Sequence, residues 1–263
     1  MTLSFVRDYC TLAACLFSAA CSRPATPQKI TLAAAADLEF ALPQIIRQFQ
    51  SANPRTEVSA VYGSSGNFYA QIRNGAPFDV FLSADAQYPD RLADEGLAVR
   101  RSRFTYAVGR IAVWVPAGSP LDLDRLQIHA LEADSVKHVA IANPRHAPYG
   151  RAAEAALHSL GVYDRVAPRL VLGENIAQTL EFVQSGAAEA GIVALSLAMA
   201  PSVRGHGRYW EIPPSAYPPI RQEAAVLARA RDSKAAARFL DFLGQDAARR
   251  IFMQYGFSVQ AGS

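Results

Sequence analysis

An α/β chain folded as two lobes with a ligand cleft between them is the class this sequence predicts, and three observations predict it. From Lys29 onward, apolar strand patterns alternate with amphipathic helical patterns, the order that builds a parallel sheet covered by helices. The alternation breaks at "SRFTYAVGRIAVWVPAGSP", where a long apolar strand, Arg110 to Val115, runs into a Pro/Gly/Ser cluster of the kind at which a chain leaves one domain for another. After the aromatic and proline-rich "YWEIPPSAYPPI" the chain adds a last strand and two helices, which reads as a return crossover. The expected division is 1–28 as signal peptide and linker, 29–109 with 221–263 as the first lobe, and 110–220 as the second.

The elements follow in order. "KITLAA" is the first strand, after which Leu38, Leu42, Ile45, Ile46 and Phe49 share one helical face up to Asn53-Pro54. Asp37 stands where an N-cap belongs, and Pro43, deeper than the first helical position, predicts a late start or a bend. "EVSAV" is the second strand. It stops at Gly63-Ser64-Ser65-Gly66, and a helical pattern containing Asn67, Phe68 and Ile72 begins at once, closed by Gly75. "FDVFLSAD" is the third strand and "YPDRLADEG" the third helix; Asp79 and Asp85, which bracket the strand, are read as turn and capping residues rather than a catalytic pair. In the second lobe "VKHVAIANPRHAPYG" leads into "RAAEAALHSLG", "RLVLGENI" into "AQTLEFVQSG", and "AEAGIVALS" into a short helix. The return supplies a strand at Glu223 to Leu227 and helices at Ser233 to Gly244 and Gln245 to Tyr255. Trp114, Trp210 and Tyr217 are expected in the packing of the second lobe and hinge.

Composition narrows the partners. The 263 residues are 51% hydrophobic and 19% charged, which excludes disorder and coiled coil. The net charge of +3 is scattered, with no basic run, so nucleic acid is not an expected partner. Near the N-terminus, Arg7 precedes an apolar run from Tyr9 to Ala20, too short to span a bilayer and of signal-peptide length. "SAAC", ending at Cys21, resembles a lipoprotein processing box, and lipidation of Cys21 and cleavage near Ala20 both stay open. Cys10, Cys15 and Cys21 all fall in this segment, so no disulfide framework or cysteine nucleophile is expected in the mature chain.

Four strand-to-helix turns carry small or donor-rich residues: Ala34-Ala35-Ala36-Asp37, Gly63-Ser64-Ser65-Gly66, Ala147-Pro148-Tyr149-Gly150 and Gly173-Glu174-Asn175-Ile176. In parallel α/β sheets such turns lie at the carboxyl ends of strands, where ligands bind. A helix leaves its first N–H groups unpaired and is partly positive at that end, so each turn is a potential anion cradle. Two turns belong to each expected lobe. An anion in the cleft could therefore collect N–H groups from both and draw the lobes together. The turns contain no lysine or arginine, although Arg145 and Arg151 flank the third.

The strings "AAAADLEFAL", "YGSSGNFYAQIRNGAPFDVFLSAD", "SRFTYAVGRIAVWVP", "IANPRHAPYG", "GENIAQTLEFVQSGAAEAGIVAL" and the closing "YGF" resemble the molybdate-binding proteins of bacterial ABC importers, within the type II periplasmic binding protein fold. The resemblance runs from about Lys29 to Phe257. It implies a periplasmic monomer that holds molybdate or tungstate and passes it to a membrane permease and ATPase, with no cofactor and no catalysis. It also implies contact with the metal centre through its oxygens only, from the turns at Ala36, Asp37, Ser64, Ser65, Tyr149 and Ile176. The donors carried over are the N–H of Asp37, the hydroxyl and N–H of Ser65 with Ser64 as neighbour, and the N–H groups of Tyr149 and Ile176. Some relatives add a tyrosine hydroxyl after "GIV"; Ala194 stands there and removes that contact.

Ala36 stands where the family usually has a serine or threonine. The lost hydrogen bond to a charged oxyanion corresponds to roughly 1.5–3 kcal/mol. Asp37 is expected to turn away and cap its helix, contributing only its N–H; the alternative is that its carboxylate joins an expanded coordination shell. Two other functions stay open: a binder of a different oxyanion or small organic acid on the same scaffold, and an exported α/β enzyme using His146 and an aspartate. His146 itself reads as a surface loop histidine, because His129, His138, His158 and His206 show no metal-type spacing with it. Ser64-Ser65 lacks the elbow of a hydrolase nucleophile. Arg221 is expected to be exposed or ion-paired rather than in the cleft.

Overall fold

The computed structural model describes residues 27–259, so the expectations for the export segment and for Cys21 lie outside the described residues. Among the described residues ten strands form two five-stranded sheets. They are β1 (Gln28–Ala35), β2 (Thr56–Gly63), β3 (Val80–Ser83), β4 (Phe104–Gly109), β5 (Ile111–Pro116), β6 (Val139–Ala142), β7 (Leu170–Gly173), β8 (Ala190–Ala194), β9 (Gly207–Glu211) and β10 (Ile220–Val226). The first sheet has the order β2-β1-β3-β10-β4 and the second β7-β6-β8-β5-β9.

Neither sheet is purely parallel, which corrects the sequence expectation. β2, β1 and β3 run parallel, but β10 lies antiparallel between β3 and β4; in the second sheet β5 is antiparallel to both β8 and β9. The strands that deviate are those at the crossings between sheets. A strand's direction there is set by where the chain enters the sheet, not by its own residues.

Alternation along the strands of the first sheet feeds two cores. Ile30, Leu32, Ala34, Val80 and Leu82 pack against Phe49, Phe239 and Phe252 on one face, while Ala33, Phe81 and Ala225 meet Phe68 and Leu92 on the other. The second sheet is buried around Trp114, Ile141, Leu157 and Leu180. The first helix begins at Ala41, which places Pro43 in its first turn, the late start that proline demands. Among the described residues no helix is long and apolar enough to cross a membrane.

The chain passes between sheets at Arg110 and again at 212–219. The first crossing therefore precedes the strand Ile111–Pro116, and the Pro/Gly/Ser cluster after that strand stays beside the second sheet. Arg110 ties the crossing down, donating to Gly256 O at 2.7 Å and to Glu211 at 2.8 Å. Tyr217, buried at the return crossing, accepts a hydrogen bond from Ile111 N. Arg221 is exposed. Asp79 does more than turn duty: it accepts from Thr31 N and Arg231 N and pairs with the Arg231 guanidinium.

Candidate functional site: an oxyanion-type cleft between the sheets

Four helix starts converge where the two sheets face each other. The three-residue 3-10 turn Ala36–Leu38 follows β1, the helix Ser65–Arg73 follows β2, Pro148–Ser159 follows β6 and Ile176–Gln184 follows β7. Ala35, Ala36, Asp37, Gly63, Ser64 and Ser65 from the first side, with Ala147, Pro148, Tyr149 and Ile176 from the second, line one small cavity. The centre of a water-sized sphere has only about 10 Å³ to occupy, about the room one water needs. Anything larger enters only when the lobes part. Of the lining residues, Asp37 alone carries a carboxyl group, and among the described residues no lysine, arginine or histidine lines the cavity.

The local hydrogen bonding decides which helix-start donors remain free. At Ile176–Gln184 the Asn175 side chain accepts from Ala177 N and Gln178 N, and Thr179 N donates to Asn175 O, which leaves the Ile176 N–H. At Pro148–Ser159 proline has no N–H and Gly150 and Arg151 donate to Ala147 O, which leaves Tyr149. At Ser65–Arg73 Gly66 N donates to His146 O and Phe68 N to Ser64 O, which leaves Ser65 and Asn67. Three of the four turns thus present the N–H that the sequence singled out.

The two serines differ. Ser65 Oγ accepts the N–H of Ala84 at 2.9 Å, so its oxygen is positioned while its own proton is free to donate into the cavity. Ser64 Oγ lies 3.1 Å from His146 Nδ1. In the tautomer that turns Nε2–H toward Glu174, 3.6 Å away, Nδ1 is an acceptor and the Ser64 proton is committed to it. Ser65 is therefore the better side-chain donor.

His146 is not the surface loop histidine the sequence suggested. It is partly buried and bridges Ser64 of the first lobe and Glu174 of the second. The same rim carries Asn67 donating to Glu174, and Arg151 paired with Asp85 and stacked over Tyr88. Asp85 also accepts from Gln87 N, as its turn role required.

Asp37 departs most from expectation. It does not cap the first helix, which starts four residues later behind Phe40 with no side-chain cap. A 3-10 turn intervenes, and the buried carboxylate (1% exposed) is held from the far side of the cleft and from the crossing strands. Tyr149 Oη donates to Asp37 Oδ2 at 2.8 Å, Gln222 Nε2 donates to the same oxygen, and Tyr106 Oη donates to Gln222 Oε1 at 2.7 Å. Ser196 Oγ donates to the Asp37 main-chain carbonyl. Gly109 belongs to this packing, since a Cβ there would lie 2.1 Å from Tyr149 Oη. Gln222 and Tyr106 were missed by sequence reasoning. The one available signal was a run of polar residues, Arg221-Gln222-Glu223, opening an otherwise apolar strand.

Burial pushes the Asp37 carboxyl up to about 6 from 3.8, against the hydrogen bonds from Gln222 and Tyr149. Burial also drives the Tyr149 and Tyr106 hydroxyls well above their usual range. Because the folded state holds the Asp37 proton more tightly than the unfolded chain, the linked stability is complete below about pH 4 and is lost as pH rises to about 6. The ionised carboxylate then costs roughly 3 kcal/mol. Asp37→Asn, which cannot ionise, should raise the unfolding midpoint of the ligand-free protein at pH 8 and leave it nearly unchanged at pH 4. Denaturant melts at the two pH values measure this.

The two sheets, their two crossings and the cavity between them define a class: a two-lobed binding protein that encloses its ligand at a hinge. The model of the family described as bacterial extracellular solute-binding protein matches residues 30–258, and the chain belongs to that family. It is 38% identical over 260 residues to the molybdate-binding protein ModA of Azotobacter vinelandii, covering 99% of this chain and 100% of the relative. It is 39% identical over 234 residues to ModA of Rhodobacter capsulatus, covering 89% and 90%. Among solved structures it is similar to the Azotobacter vinelandii periplasmic molybdate-binding protein, with a TM-score of 0.82 and 32% identity over 88% of this chain and 100% of that one.

Proposed function

We propose that this protein captures molybdate, with tungstate as an equivalent ligand, outside the cytoplasm and delivers it to the permease and ATPase of an ABC importer. The observation that carries the reading is the convergence of helix-start N–H groups from both lobes on one cavity lined by no cationic side chain. Neutral, fixed donors suit a tetrahedral dianion whose charge is spread over several oxygens. In this reading the N–H groups of Asp37, Ser65, Tyr149 and Ile176 and the hydroxyl of Ser65 hold the oxygens, with Ser64 beside them, and Ala36 contributes no hydroxyl. The metal centre is touched only through its oxygens.

The lobes divide as 29–109 with 221–263 and 110–220, and they open about Arg110 and the return crossing. The anion enters the open form, donors from both sides encircle it, and the rim contacts of His146, Arg151 and Glu174 form on closure. No bond of the ligand is broken, so the protein acts as a carrier rather than an enzyme. The name of the similar Azotobacter vinelandii structure supports a periplasmic location; in this reading the protein works there as a monomer, free or anchored through Cys21, with no nucleic-acid partner. Selectivity over sulfate arises from the size of the closed cavity, because the donors cannot tell equal charges apart. A thermal-shift panel checks the assignment: molybdate and tungstate should each raise the melting temperature while sulfate and phosphate leave it nearly unchanged, and a larger shift with sulfate or phosphate would replace the ligand.

A further inference from the structure

We propose that Asp37 binds the oxyanion as a neutral carboxylic acid, its Oδ1 carrying a proton and donating it to a ligand oxygen, so that capture of the dianion takes up one proton from solvent. The inference rests on reading the cavity as an oxyanion site. Four observations carry it.

Asp37 lines the cavity and is buried to 1% exposure. Its two oxygens are not equivalent. Oδ2 receives both side-chain donors, Tyr149 Oη and Gln222 Nε2, in the amide orientation in which the Gln222 oxygen accepts from Tyr106 Oη. Tyr149 Oη in turn accepts the second Gln222 Nε2 hydrogen at 3.0 Å, which fixes the tyrosine proton on Asp37. Oδ2 is thus the acceptor oxygen, and a proton on the carboxyl belongs on Oδ1. Oδ1 is buried with no hydrogen-bond partner among the described residues.

Among the described residues no nearby charge neutralises an ionised Asp37. The titratable groups facing it are the Tyr106 hydroxyl from β4 and the Tyr149 hydroxyl from the helix Pro148–Ser159, with Tyr217 beyond Tyr149. Glu39, which ends the same 3-10 turn, faces Glu181 and Tyr62 instead. A dianion entering the cavity adds like charge, which favours the protonated form further. Protonation converts the worst neighbour of an anion into a hydrogen-bond donor, one residue from Ala36, where the hydroxyl is missing. Burial already lifts the carboxyl to about 6 without the ligand, so at pH 7–8 most of the free protein is ionised there and binding must draw the proton in.

Calorimetric titration with molybdate at pH 8, in two buffers of different ionisation enthalpy, measures the protons taken up. The wild-type protein should take up close to one proton per anion, and its Kd should weaken by about tenfold from pH 7 to pH 8. Asp37→Asn should take up none and bind with a Kd that is flat over the same range. Its side-chain oxygen can accept from Tyr149 and Gln222, which leaves the amide N–H₂ where Oδ1 stood. His146→Gln, which removes the rim histidine that bridges the lobes, should keep the wild-type uptake. Tight binding with no proton uptake, uptake that survives in Asp37→Asn, or uptake lost only in His146→Gln would each overturn the proposal and leave the oxyanion reading standing. Absence of any molybdate or tungstate binding by the wild-type protein would overturn both.

Discussion

Gly66→Ala should weaken molybdate binding by about 5- to 150-fold while leaving the fold and the ligand-free melting temperature nearly unchanged. A Cβ at Gly66 would lie 2.5 Å from His146 O, 2.9 Å from Tyr88 Oη and 3.0 Å from His146 Cα. Two of these atoms are backbone of the opposite lobe and cannot swing aside. The first-lobe helix start therefore meets the second lobe through the bare backbone of Gly66, whose N–H donates to His146 O at 3.0 Å. Inserting a methyl group there forces the lobes apart, at the roughly 1–3 kcal/mol typical of overpacking. Parting the lobes carries His146 away and leaves only the flexible Tyr88 side chain against the methyl group, so the cost falls mainly on closure. Isothermal titration with circular dichroism separates the two effects, and a matching loss of fold stability would place the defect in folding instead.

Ser65→Ala should cost about tenfold to several hundredfold in affinity, more than Ser64→Ala. Two losses combine at Ser65. The hydroxyl proton aimed into the cavity is removed, at roughly 1.5–3 kcal/mol for a bond to a charged acceptor. The buried Ala84 N–H that the oxygen accepted loses its partner as well. Ser64, by contrast, has its hydroxyl turned to His146, so its loss weakens the rim rather than the anion contact. Because Ala36 supplies no hydroxyl, Ser65 stands as the remaining side-chain hydroxyl with a free proton among the cavity-lining turns. The same substitution should hurt less in relatives that keep a hydroxyl at both positions. Parallel titrations of Ser64→Ala and Ser65→Ala test the ranking, and equal losses would contradict it.

Much of the architecture was legible because it is written locally. Strand and helix periods, the closing glycines and the small-residue turns are properties of short windows, and the four turns that face the cavity are the four that the sequence nominates. What could not be read depends on residues far apart in the chain. The directions of β5 and β10 are set by the crossings between sheets. The fate of Asp37 is decided by Tyr149 and Gln222, which lie 112 and 185 residues away. Its position before a helical pattern pointed to a cap, the bond that a nearby backbone N–H would have offered. The fold instead buries the carboxylate under two side-chain donors. His146 followed the same logic, since a histidine in a Pro/Arg-rich loop looks exposed until the opposite lobe closes over it.

The central claim is that one oxyanion is held at the meeting point of four helix starts from two lobes. A crystal structure of the protein grown with molybdate tests it most directly. A single tetrahedral anion should occupy the cavity, its oxygens within about 3.2 Å of the N–H groups of Asp37, Ser65, Tyr149 and Ile176 and of Ser65 Oγ, with no cationic side chain in contact. Molybdate bound elsewhere on the protein, or coordinated at the metal by the Asp37 carboxylate, would contradict it.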